Sequence, residues 1–196
     1  MRIVLASSNQ HKADEITAML SKNFEIYLQR DLDIDSTYET GTAFVENALI
    51  KARHASAATG LPAIADDSGI CVHALGGRPG ISSSRYAGPN ASDQDNLNKL
   101  LSKLGSAKNR DAFFYCVVVF LEGADNATPI IAEASWHGEI SLTPSGELGF
   151  GYDPVFYLPE LGVTAAELSI PQKNRISHRG LALDLLKRKL FERYSA

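Results

Sequence analysis

Apolar positions recur along the chain in two rhythms, one of strand length and one at helical spacing. Arg2 to Ala6 (RIVLA) is a short apolar run ended by Ser7-Ser8-Asn9, and after it Ala13, Ile16, Met19 and Leu20 recur at the spacing of an amphipathic helix. Phe24 to Gln29 reads as a second strand. Glu39-Thr40-Gly41-Thr42 is expected to open a long helix through about Thr59, with Phe44, Ala48, Ala52 and Ala55 as its apolar stripe and Asn47 and Lys51 on another face. Leu61, Ala63, Ile64 and Ala65 form a run short enough for a buried strand, which delivers Asp66 and Asp67 onto a turn predicted at Ser68 and Gly69. A further apolar run, Ile70 to Leu75, leads into GGRPGISSSRYAGP, read as an ordered loop. Ser92 or Asp93 can cap the next helix, whose Leu97, Leu100, Leu101 and Leu104 give the clearest amphipathic pattern in the chain. Ala112 to Leu121 (AFFYCVVVFL) is β-branched, aromatic and apolar throughout, as a central strand buried on both faces requires. Ile130 to Ile140, which holds the only tryptophan, Trp136, is expected as its antiparallel neighbour, and Ala182, Leu185, Leu186 and Leu190 mark a final helix. No internal repeat or low-complexity linker interrupts the pattern.

A chain of 196 residues can bury a core as one domain, or as two small lobes sharing a cleft; one compact unit over residues 1–196 is expected. Hydrophobic and charged contents of 44% and 21% suit a globular protein in water, and 19 basic against 23 acidic residues leave a net charge of −4. That balance argues against long nucleic acid as a partner, because nonspecific binding to it relies on a basic surface. No apolar run approaches a membrane span, and Met1 leads directly into a strand with no signal-peptide pattern, so no membrane association and a cytoplasmic location are expected. Cys71 and Cys116 form no C-x-x-C motif and are expected as two reduced, buried thiols.

Candidate chemistry lies in the loops. Asp66 and Asp67, at the carboxyl end of a strand, would stand where open α/β sheets bind ligands; Asp-Ser-Gly also serves simple turn and cap chemistry. The free N–H groups where the first helix begins, with Ser7, Ser8, Asn9, Gln10, His11 and Lys12 around them, suit a phosphate, although Ser8 or Asn9 could merely cap the helix. Lys12 opposes the helix dipole there and therefore calls for an anionic partner. Asp31, Asp33 and Asp35 alternate as in a calcium loop, but Ser36 and Thr42 stand where that loop needs Gly and Glu, which leaves a solvated acidic loop. Lys51 is either an exposed lysine or one that looks back towards Asp66 and Asp67. In Gly146 to Pro154 (GELGFGYDP) glycines allow close approach, Phe150 and Tyr152 offer ring faces and Asp153 an acceptor; a glycine-rich hairpin packed by aromatics fits the same residues. Lys173 and Ser177-His178-Arg179-Gly180 again gather basic groups at a helix start. Cations in three separated stretches and carboxylates in two match a triphosphate bound with magnesium. The P-loop, the protein-kinase motif set and G-x-S-x-G are all absent.

The chain resembles the Ham1 and RdgB family, the inosine triphosphate pyrophosphatases that hydrolyse non-standard purine nucleoside triphosphates. The resemblance rests on Ser7-x-Asn9-x-x-Lys12, Glu39-Thr40-Gly41 with Phe44, Glu46-Asn47-Ala48 with Lys51-Ala52, Ala65-Asp66-Asp67-Ser68-Gly69, Leu75-Gly76-Gly77-x-Pro79-Gly80, Phe150-Gly151-Tyr152-Asp153-Pro154 and Ser177-His178-Arg179-Gly180. The related Maf pyrophosphatases begin with a Ser-x-Ser, Arg-containing loop, which Ser7 to Lys12 does not match. The resemblance implies an elongated α/β mixed sheet with flanking helices in two lobes, a nucleotide cleft between them, and assembly as a homodimer. It implies cleavage of dITP, ITP and XTP to the monophosphate and pyrophosphate, with magnesium (manganese as a substitute) held by Glu39, Asp66 and Asp67, and Asp67 as general base. Ser7, Ser8, Asn9, Gln10, His11, Lys12, Lys51 and Ser68 would hold the triphosphate. Phe150, Gly151, Tyr152, Asp153, Lys173, His178 and Arg179 would form the base pocket, where Lys173 and Arg179, which can only donate hydrogen bonds, would favour a keto oxygen over adenine's amino group. A nucleotide-binding regulatory module without hydrolysis and a broader triphosphate pyrophosphatase are the rival readings.

Overall fold

The computed structural model describes residues 1–195. Seven strands, β1 (Arg2–Leu5), β2 (Glu25–Leu28), β3 (Ala63–Val72), β4 (Asp111–Leu121), β5 (Ile130–Ile140), β6 (Phe156–Leu158) and β7 (Val163–Thr164), form one sheet in the order β2-β1-β3-β4-β5-β6-β7. β1 pairs in parallel with β2 and β3, whereas β6 is antiparallel to both β5 and β7, so the sheet is mixed. Helices α1 (Gln10–Leu20), α2 (Phe44–Thr59), α3 (Asp93–Leu104), α4 (Ile170–Ile176) and α5 (His178–Tyr194) accompany it. This is the expected α/β mixed sheet with flanking helices, and β4 and β5 are neighbours as their patterns predict. Among the described residues no helix is long and apolar enough to cross a membrane.

Contacts divide the chain into two units. The first comprises Met1–Asp67, Cys116–Ala134 and the described residues from Arg179 onward. Alternation along its strands sends Ile3, Leu5, Ile64, Cys116, Val118 and Phe120 into one core with Ala13, Ile16 and Leu20 of α1 and Ala182, Leu183, Leu186 and Leu190 of α5. On α2, which lies against β1, Ala48, Ala52 and Ala55 are buried together with Asn47 and Ser56. That helix starts at Phe44, not at Glu39, and leaves Phe44 half-buried at its tip. The shift has a local cause, because the Glu46 carboxylate accepts from the N–H groups of Thr42 (2.6 Å) and Ala43 (3.0 Å) and so closes the helix behind a loop. Cys71 and Cys116 are free and buried, as expected, and burial with Asp66 nearby pushes the Cys116 thiol up to about 12.

The second unit comprises Ser68–Tyr115 and Ser135–His178. Leu97, Leu100 and Leu104 of α3 pack with Ile70 and Val72 of β3, Ala112 and Phe114 of β4, Trp136 and Ile140 of β5, and Tyr152, Val155, Phe156 and Leu158. Ser92 caps α3: its hydroxyl accepts from the Asp95 N–H (3.1 Å) while the Asp95 carboxylate accepts from the Ser92 N–H (3.0 Å). The turn expected at Ser68-Gly69 does not form. β3 runs straight through Asp66, Asp67, Ser68 and Gly69, so the acids sit within a ten-residue strand and not at its end. Gly69 is needed for close approach, since a Cβ there would stand 2.3 Å from the Gly80 carbonyl oxygen and 2.5 Å from Ser83 Oγ. The ordered loop after β3 lies against it, with Ser83 Oγ accepting from the Ile70 N–H (2.9 Å) and Cys71 bridged to Pro79. Gly69→Ala is therefore expected to cost about 1–3 kcal/mol in denaturant unfolding through overpacking. Gly123→Ala, where an added Cβ meets nothing within 4 Å, is the matched control and should stay within about 0.5 kcal/mol of the parent.

Candidate active site

The first unit assembles four of the expected residues, Lys12, Glu39, Lys51 and Arg179, around two adjacent carboxylates. Asp66 and Asp67 are 1% and 5% exposed. The Asp66 Oδ2 atom faces Lys12 Nζ at 3.3 Å and Arg179 Nε at 3.4 Å, and Arg179 Nη1 also donates to Glu15. Asp67 Oδ1 faces Lys51 Nζ at 3.4 Å, and the same ammonium lies 2.8 Å from Glu39 Oε1. Asp67 Oδ2 accepts from the Asn47 side-chain amide at 3.3 Å.

The neighbouring acids are driven in opposite directions. Burial alone would raise Asp66, but Lys12, Arg179 and Lys51 together hold it well below the usual carboxylate range. Burial prevails at Asp67 and lifts it above the usual range: Lys51 and Lys12 oppose the rise, while Glu39 and Asp66 add to it. Lys51 is desolvated, yet Asp67, Asp66 and Glu39 hold its ammonium charged, and burial at Arg179 is likewise outweighed by Asp66 and Glu15. Two titratable groups whose environments push them apart are the usual mark of divided acid–base roles. Asp66 is the fixed anion, and Asp67 is the carboxylate for which gaining a proton is easier.

At the start of α1, Asn9 Oδ1 accepts from the Lys12 N–H (3.1 Å), so Asn9 is the cap. The Ser7 hydroxyl donates to the Asn9 carbonyl (3.3 Å), while Ser8, Gln10 and His11 are exposed around the same helix start. The anionic partner that Lys12 calls for is supplied within the chain by Asp66. Among the described residues no three His, Cys, Asp or Glu side chains are gathered as a metal cage. Glu39 and Asp67 nonetheless share one cationic atom, Lys51 Nζ. Carboxylate oxygens converging on a single positive charge suit magnesium, which takes one or two protein carboxylates and completes its shell with phosphate and water.

The second unit gathers most of the residues expected around a base. Asp153 and Lys173 are buried and paired at 2.6 Å; Asp153 Oδ2 also accepts from the Phe150 N–H (2.9 Å), and Lys173 Nζ lies 4.7 Å from the centre of the Phe150 ring. Gly149, at φ +77°, is required there, since a Cβ would stand 2.2 Å from Asp153 Oδ2. The Gly151 N–H donates to Asp93 (2.8 Å), and the buried Tyr152 donates its hydroxyl to the Ser83 carbonyl (2.8 Å), holding the loop after β3. His178 stacks on Phe114 with ring centres 4.6 Å apart and planes 7° from parallel, with Trp136 at 6.3 Å. Ser68 is half-buried in β3. Arg179 follows His178 in the chain and forms ion pairs with Asp66 and Glu15. Sequence reasoning missed Glu15, Phe114 and the contact made by Asn47. Glu15, three residues after Lys12, and Asn47, four before Lys51, carried a helical-spacing signal, whereas Phe114 looked like any other core aromatic.

A mixed open sheet, with a buried carboxylate pair held among cations, defines an α/β protein with a buried charged cluster on its third strand. The chain belongs to the Ham1 family, whose model matches residues 3–189. It is 53% identical over 188 residues to the dITP/XTP pyrophosphatase of Pectobacterium atrosepticum, covering 94% of this chain and 95% of that one. With the protein of the same name from Nitrosomonas europaea it shares 54% identity over 192 residues, 97% and 95% of the two chains. The solved structure of a Ham1 protein from Coxiella burnetii superposes with a TM-score of 0.91 at 47% identity, covering 98% of this chain and 99% of that chain. The Staphylococcus aureus Ham1 protein gives 0.88 at 42% identity, covering 98% and 100%.

Proposed function

We propose that the protein is a nucleoside-triphosphate pyrophosphatase that hydrolyses dITP, ITP and XTP between the α- and β-phosphates, removing non-standard purine nucleotides from the cytoplasmic pool. The observation that carries this reading is the divided carboxylate pair: Asp67, buried and raised, beside Asp66, buried and held ionised, with Lys12, Lys51 and Arg179 around them. The names of the Pectobacterium and Nitrosomonas relatives support the substrate class.

In this reading Asp67 takes a proton from the attacking water as the new P–O bond forms and the α–β bridging bond breaks, with pyrophosphate leaving. Ser7, Ser8, Asn9, Gln10, His11, Lys12, Lys51 and Ser68 hold the phosphates. Magnesium, or manganese in its place, would be held by Glu39, Asp66 and Asp67, and supplies positive charge against the phosphate oxygens and a more acidic water. Phe150, Gly151, Tyr152, Asp153, Lys173, His178 and Arg179 receive the base, and the donors among them favour a keto oxygen. The working form is a homodimer, as the family resemblance implies.

The test is pyrophosphate release by the purified protein with magnesium, comparing dITP, XTP, dATP and dGTP at equal concentrations. Release from dITP and XTP with little from dATP and dGTP is expected. Equal release from all four would point to a broader pyrophosphatase, and binding without release from any would point to a regulatory module.

A further inference from the structure

Asn47 is a polar side chain on α2 with no exposure to solvent. Its Oδ1 accepts from the Gly41 N–H at 2.8 Å, and its Nδ2 donates to Asp67 Oδ2 at 3.3 Å. Chemistry alone fixes which end points where. A backbone N–H can only donate, so the atom facing Gly41 must be the carbonyl oxygen, and the amide NH2 is left for the carboxylate. Gly41 is shaped to this contact, because a Cβ there would stand 2.7 Å from Asn47 Oδ1 and 2.6 Å from Glu46 Cβ.

The loop carrying Glu39 is thus pinned by two consecutive helical residues, Glu46 at Thr42 and Ala43 and Asn47 at Gly41. One turn later Lys51 reaches the Glu39 and Asp67 side chains themselves. The contributions differ in kind. An ammonium at 3.4 Å supplies charge and tolerates rotation of a carboxylate, whereas a planar amide bonded at one oxygen opposes it. We infer that Asn47 is a positioning residue for the proposed hydrolysis: it holds Asp67 by Oδ2 so that Oδ1 is presented on the Glu39 side, and it sets the Glu39 loop to match. The inference rests on Asp67 acting as the base.

The test uses Asn47→Leu, which keeps the volume and removes both hydrogen bonds, and Asn47→Ser, a smaller polar side chain whose hydroxyl is one bond short of both Gly41 and Asp67. Each is assayed for kcat and KM with dITP and magnesium. Each is also titrated calorimetrically with the non-hydrolysable α,β-imido analogue of dITP, and melted. A carboxylate displaced by about an ångström lowers kcat by about 10²-fold. That loss, with analogue affinity within about threefold of the parent, is expected of both variants, and the serine variant decides if the leucine variant does not fold. An unchanged kcat overturns the inference. So does a kcat that falls only in step with melting temperature and analogue binding, which is what a merely structural asparagine would give. If the parent protein itself releases no pyrophosphate, the functional reading has failed, a result separate from either outcome at Asn47.

Discussion

Asp67→Asn is expected to lower pyrophosphate release from dITP by about 10²–10⁴-fold, the range that a positioned general base contributes. The substitution keeps the shape of the side chain and removes its negative charge, and with it the capacity to take a proton. It should not lower stability, because burial already disfavours the charged form of Asp67 and lifts its carboxyl above the usual range. A neutral amide removes a buried charge whose neighbours include Asp66 and Glu39, both of which add to that rise. Turnover lost while the denaturant midpoint is held or raised would separate chemistry from folding. A variant that turned over normally would move the proton-accepting role away from Asp67.

Removing Arg179 should act in the opposite way, on the fold itself. The guanidinium is 2% exposed and serves two acids, Asp66 and Glu15. Arg179→Leu leaves a buried carboxylate short of its compensation, and breaking such a pair from one side costs about 3–5 kcal/mol. For a chain of this size that corresponds to a melting temperature lower by about 10 °C. Arg179→Lys, which keeps the charge and loses the two-pronged donor, should fall between parent and leucine variant. A loss below about 1 kcal/mol for the leucine variant would mean that Lys12, 3.3 Å from Asp66, compensates the carboxylate by itself.

These residues also show how far the sequence could be read. Element identity was legible wherever burial imposes a period: Ile3 and Leu5 in β1, Ala13, Ile16 and Leu20 in α1, Leu97, Leu100 and Leu104 in α3, and the unbroken apolar run of β4. The stretch at Asp66 to Gly69 misled because Asp, Ser and Gly are turn residues by local preference, while here tertiary packing needs glycine for the approach of Gly80 and Ser83. The helix start that the sequence predicts at Glu39 lies ahead of the observed Phe44 for a related reason. Whether Thr40 to Ala43 joined the helix or stayed outside it depended on where Glu46 and Asn47 sent their side chains.

The sequence by itself determined the element types, the family and the residues that carry charge, since hydrophobic period and motif spacing are properties of the chain read locally. Only the tertiary structure decided what each charge does. Asp66 and Asp67 are adjacent and chemically identical, so no local rule could rank them. They diverge because Lys12 and Arg179, far apart in the chain, converge on the first, while Asn47, Lys51 and Glu39 surround the second. Burial then makes each of those contacts count, because charges shielded from water act on one another through a low dielectric.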